Sequence, residues 1–140
     1  VLNYQGNHLI IDNFDIDNLI MNWLLVFLGG GIGSVLRFGT SALAAKWWQH
    51  AFPLATLLSN VTACLMLGIA VALLRDKMQS HELWYTFVVV GICGGYSTFS
   101  TFAKENIELF EKGNVAIGVL NIMVSVSLCL IAVYLGRKVS

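Results

Sequence analysis

Charge is what this sequence has least of. Lys, Arg, Asp and Glu make up 11% of its 140 residues, 8 basic side chains against 8 acidic ones. Soluble domains average about 25% charge, so a water-facing surface is hard to assemble from this chain. A lipid-facing surface needs none. No block of like charge occurs, which excludes a basic nucleic-acid binder and an acidic tail. There is one proline, and only three cysteines. Cys64, Cys93 and Cys129 all fall in apolar stretches and read as buried free thiols rather than a disulfide framework. His8, His50 and His81 are scattered over three polar segments, which argues against a side-chain metal cluster. No phosphate-binding loop, nucleophile elbow or carboxylate pair is present, so an enzyme is not indicated.

What the chain does have is apolar length, with 57% hydrophobic residues. No charge lies between Asp17 and Arg37, nor within residues 54–74, 83–103 and 114–136. Each stretch is near the ~20 residues that cross a hydrocarbon core. The charges gather in the short connections, apart from Arg37, which sits in an apolar run that continues to Ala45. This segregation predicts an all-α membrane protein with four transmembrane helices, because a charge at mid-bilayer is costly. A soluble bundle would carry a charged stripe on each helix. Arg75, Lys77, Arg137 and Lys138 fall on one side of the predicted spans, and Arg37, Lys46, Lys104 and Lys112 on the other. Flanking basic residues therefore give no preferred orientation. Either another signal orients the chain, or it inserts both ways and two opposed copies pair. Residues 1–20 are acidic and lack a basic n-region, so they are no signal peptide. Met21 stands directly before the first span. Residues 1–20 thus read as a non-native or disordered extension, or as a surface-lying segment, and residues 21–140 as the four-helix domain.

Polar residues inside the spans narrow the function. Gly29 and Gly33 form a GxxxG spacing suited to close helix packing in lipid. Arg37, four residues on, either snorkels to the interface or raises the local anion concentration at the mouth of a pathway. Thr56, Ser59, Asn60 and Ala63 share one face of the second span by their i, i+3, i+4 spacing. The Asn60 carboxamide needs partners in lipid, from a neighbouring helix or from an ion path. In the third span, Gly94-Gly95 is followed by Ser97, Thr98, Ser100 and Thr101, a pattern that makes poor continuous helix. It predicts a helix broken in mid-membrane, with carbonyls suited to a cation and N–H groups suited to an anion. Phe99 and Phe102, at i and i+3, can project two electropositive ring edges from one face. In the fourth span Asn114, Gly118, Asn121, Ser125, Cys129, Ala132 and Gly136 recur every three or four residues as one small and polar seam.

The run Gly91 to Phe102, GICGGYSTFSTF, closely resembles the signature of the Fluc/CrcB family of fluoride channels. Gly30-Gly31-Ile32-Gly33-Ser34-Val35-Leu36-Arg37 is similar to the family's first-helix motif, and Ser59-Asn60-Val61-Thr62-Ala63-Cys64 to its second-helix motif. The resemblance implies a multi-pass protein of the cell (inner) membrane, built as an antiparallel homodimer of dual topology. It implies two fluoride pores and a structural central sodium ion (Na+) held by the carbonyls of Gly94 and Ser97 from both subunits. Phe99 and Phe102 would offer ring edges to fluoride and Asn60 an amide donor. Thr98, Ser100 and Thr101 belong to the same motif, Asn121 and Ser125 to a fourth-helix polar track, and Arg37 to the vestibule. Ser97 stands for a usual Thr, Thr62-Ala63 where Gly-Ser or similar is common, Asn121 where Tyr is frequent and Cys129 where Ser is frequent. Two other readings compete. A small multidrug-resistance-like proton-coupled exporter would need a membrane-embedded carboxylate, which the four stretches lack. A non-conducting structural subunit would explain the small-residue seams but not the cluster from Gly94 to Phe102.

Overall fold

The computed structural model describes residues 16–74 and 82–139, and the regular elements among these are all helical. Helix α1 (Ile16–Trp47) carries Asp17 in its first turn and Lys46 in its last, each complementing the helix dipole. Its 32 residues span about 48 Å, more than the ~30 Å hydrocarbon core requires. Pro53, which has no N–H to leave unpaired, precedes α2 (Leu54–Leu74). The third span runs from Glu82 to Glu111 in pieces. A turn of α-helix, α3 (Glu82–Tyr85), passes into a π-helical stretch (Thr86–Cys93) and a second short turn, α4 (Gly94–Tyr96). Ser97 and Thr98 are extended, and α5 (Phe99–Glu111) follows. Gly113, at φ 76, turns the chain into α6 (Val115–Gly136).

Four helical stretches are thus long and apolar enough to cross a membrane, as the hydropathy pattern predicts. Burial is inverted relative to a soluble bundle. The largest fully buried side chains are Asn121 and Ser59, while Trp23, Phe27 and Phe38 face outward. Lipid tails are as apolar as leucine, so the interior is filled by small and polar groups that pack and hydrogen-bond.

The predicted seams are the contact lines. Gly29 and Gly33 of α1 lie against the π-helical backbone at Phe87, Gly91 and Ile92, and the short α4 turn packs on α1 at Gly30. Gly118, Asn121, Ser125, Ala132 and Gly136 are buried along α6, and Thr56, Ser59 and Ala63 along α2. A Cβ at Gly68 would meet the Val133 carbonyl at 2.5 Å and the Gly136 Cα at 3.0 Å, both rigid backbone. Gly68→Leu is therefore expected to abolish a monodisperse size-exclusion peak in detergent. Overpacking costs ~1–3 kcal/mol even where side chains can give way. Gly39→Leu, whose Cβ would meet nothing, should elute like the parent.

The predicted mid-membrane break is present, within the run of glycines and hydroxyl residues. The break comes at Ser97–Thr98 rather than at the glycine pair: Gly94 is helical (φ −64, ψ −39) and Gly95 serves as the point where α1 approaches. Residues 16–20 open helix α1. The remainder of the 1–20 segment, residues 1–15, lies outside the described residues, as do Arg75 and Lys77.

Candidate functional site

Extended backbone at membrane depth leaves amide groups that lipid cannot satisfy. Here one side chain satisfies them. The Thr98 N–H donates to Asn60 Oδ1 at 2.7 Å, and Asn60 Nδ2 donates to the Thr98 carbonyl at 3.3 Å. The carboxamide of α2 thus pairs with Thr98 as a neighbouring strand would. A primary amide has two N–H donors, so one remains after this exchange. Thr98 also caps α5: its hydroxyl accepts from the Thr101 N–H at 3.2 Å and donates to Thr101 Oγ1 at 3.0 Å. The Ser100 hydroxyl lies 3.3 Å from the same Thr98 oxygen. Thr98, Ser100 and Thr101 therefore stabilise the restart of the helix, with their hydroxyls turned on one another.

Asn60, Ser97, Phe99, Phe102 and Ser125 line one groove of about 310 Å³, together with Cys64, Cys129 and an apolar wall of Val126, Leu130 and Val133. The Phe99 and Phe102 ring centroids are 5.6 Å apart at 42°. Phe99 is 79% exposed, whereas Phe102 is buried. Beneath Phe102 runs a hydrogen-bonded chain across α5 and α6. The Ser125 hydroxyl donates to Asn121 Oδ1 (3.1 Å), Asn121 Nδ2 to Asn106 Oδ1 (3.1 Å), and Asn106 Nδ2 to the Phe102 carbonyl (2.7 Å). Asn121, expected on the polar track, lies behind the groove wall and supports Ser125.

Arg37 and Gly94 lie off this groove. Arg37 Nε donates to the Gly95 carbonyl at 3.2 Å, tying α1 to the turn before the break. Tyr96 and Thr40 share a hydrogen bond of 3.0 Å beside it. Gly94 is exposed, and a Cβ there would meet nothing within the chain. Among the described residues, no group of three or more His, Cys, Asp or Glu could hold a metal ion.

Residues 24–137 match the family described as CrcB-like protein, Camphor Resistance (CrcB). The chain belongs to this family. A relative from Coxiella burnetii (strain CbuK_Q154), named fluoride-specific ion channel FluC, is 38% identical over 117 residues, 83% of this chain and 94% of that one. A protein of the same name from Flavobacterium psychrophilum is 40% identical over 111 residues, covering 79% of this chain and 90% of its own. A third, from Solibacter usitatus, is 38% identical over 116 residues, covering 83% and 95%. These relatives are named as channels, not enzymes, and this member of the CrcB-like family is a multi-pass membrane protein.

Three contributors escape the sequence reading of this family member. Asn106 sits one turn after Phe102 on α5, and that i, i+4 spacing was the available signal. Thr56 donates to Glu105 Oε1 at 2.8 Å, bringing a carboxylate that only borders the third uncharged stretch onto the start of α2. Cys64 lines the groove, and its place one turn after Asn60 at the end of the second-helix motif was the available signal.

Proposed function

We propose that this chain is a fluoride channel that lets fluoride leave the cytoplasm passively, acting as an antiparallel homodimer around a structural sodium ion. The observation that carries the reading is the groove in which Asn60 holds an extended break beside the Phe99–Phe102 pair. A small anion there could take the spare Asn60 N–H and rest against electropositive ring edges. The Ser125 hydroxyl oxygen is held by its own donation to Asn121. The choice of fluoride over other anions follows the names of the relatives.

Sodium fits the donor set. Arg37 engages the Gly95 carbonyl, so a cation in this turn would draw on other carbonyls, and this reading assigns it those of Gly94 and Ser97. Carbonyl oxygen suits a hard cation, and Gly94 opens onto space that a second copy could share. When bound, the ion would offset repulsion between anions in neighbouring pores. Closed two-fold pairing is the commonest dimer form, and the even split of flanking basic residues suits insertion in both directions. A proton-coupled exporter is less well supported. Glu105, a carboxylate on α5, is engaged by Thr56 and does not line the groove.

Purified protein in fluoride-loaded liposomes is expected to release fluoride as soon as charge movement is shunted by a potassium ionophore, and chloride hardly at all. Folded, reconstituted protein that releases no fluoride would end the channel reading.

A further inference from the structure

Two thiols in the groove wall take no part in the conduction described above. Cys64 on α2 and Cys129 on α6 are free and half-buried, and both line the groove. Their helices are held in close contact by Gly68 against Gly136, so the facing pair has little freedom to part. Cys93, the third thiol, is buried in the π-helical stretch and does not line the groove.

We propose that Cys64 and Cys129 together form a two-thiolate receptor for a soft divalent cation of the mercuric class. Thiolate sulfur selects soft metals. Zinc prefers four ligands, and among the described residues no third His, Cys, Asp or Glu completes such a set. That leaves a cation content with two. On binding, both S–H bonds break, two sulfur–metal bonds form and two protons leave, with no electron transferred. A dication with two thiolates is neutral, which matters where residual charge is expensive. A monovalent soft cation such as Cu(I) would leave one negative charge in the same apolar wall. Because the thiols border the Phe99–Phe102 groove, an occupied site also obstructs it. That consequence alone rests on the channel reading.

The test is intact-mass analysis of the full chain titrated with mercuric chloride to one equivalent. The expected species carries one mercury with two protons lost, resists a monothiol wash and yields to a dithiol. Cys93→Ser should behave identically. Cys64→Ser and Cys129→Ser should lose the two-proton signature and release mercury to the monothiol. Loss of one proton per mercury in the parent, or a two-proton signature surviving in Cys64→Ser, overturns the receptor. Obstruction is read on liposomes whose untreated efflux has already been established, each protein against its own untreated rate. Mercury followed by the monothiol wash should leave efflux of the parent and of Cys93→Ser close to the protein-free rate, and return Cys64→Ser to its own untreated rate. Undiminished efflux from protein that carries mercury by mass would overturn the obstruction while leaving the receptor standing.

Discussion

Replacing Phe102 with isoleucine should slow fluoride efflux about ten- to thirtyfold while the size-exclusion profile and helix content stay those of the parent. Isoleucine keeps an apolar side chain of similar bulk, and such exchanges in a packed core usually cost below ~1.5 kcal/mol. The backbone anchor survives too, because Asn106 bonds the Phe102 carbonyl and not its ring. What disappears is the ring quadrupole. The complementary attraction of a cation to the face of such a ring reaches ~2 kcal/mol when both are desolvated. A similar loss at the ring edge converts to about thirtyfold in rate. Phe99→Ile should suppress efflux in the same direction but less. Phe99 is largely exposed in the single chain, and electrostatic contacts weaken as water approaches. Parent-like efflux from both variants, measured with the same fluoride-loaded liposomes, would reduce the pair to packing.

The four spans were legible because hydropathy and charge act locally: a charged residue in hydrocarbon is costly wherever it falls. The seams were legible for a related reason. Small and polar residues at helical spacing on α2 and α6 have no use on a lipid-facing surface, and they are the buried residues. The position of the break was not. Gly94-Gly95 reads as weak helix by intrinsic propensity, yet close approach to α1 at Gly30 gives Gly95 a packing reason to stay helical. The extended residues are selected instead by Asn60, 38 positions away in sequence, whose carboxamide replaces the lost helical bonds. Such a contact depends on tertiary placement, and no periodicity announces it. The same holds for Asn121. Its spacing put it on the seam correctly, but only the arrival of Asn106 from α5 decides that its amide faces inward rather than into the groove. The π-helical stretch had no sequence signal that was read as such. Its wider turn brings Gly91 against Gly29.

Asn60 separates structure from conduction, because its two amide ends do different work. Asn60→Leu removes both partners of Thr98 and leaves a buried N–H and carbonyl unsatisfied, at ~1–3 kcal/mol each. That variant should unfold at lower temperature, and its loss of efflux would be ambiguous. Asn60→Asp is the sharper probe. A carboxylate keeps the acceptor that receives the Thr98 N–H, the shorter of the two bonds at 2.7 Å, so the break and the α5 cap should persist. It deletes both amide N–H groups, the one offered to the groove and the one given to the Thr98 carbonyl at 3.3 Å, and places a negative charge there. Two unit charges ~4 Å apart repel by about 4 kcal/mol at an effective dielectric constant near 20. In rate that is about a thousandfold. The expected result is a protein that melts well above Asn60→Leu, elutes as the parent does, and releases fluoride no faster than protein-free liposomes. Efflux within a few-fold of the parent would mean that the anion never approaches Asn60, and that the amide serves only to hold the break. A loss of efflux this large in a protein that melts well above Asn60→Leu points to the groove, since the Thr98 N–H bond and the α5 cap are retained and only the longer bond to the Thr98 carbonyl is lost.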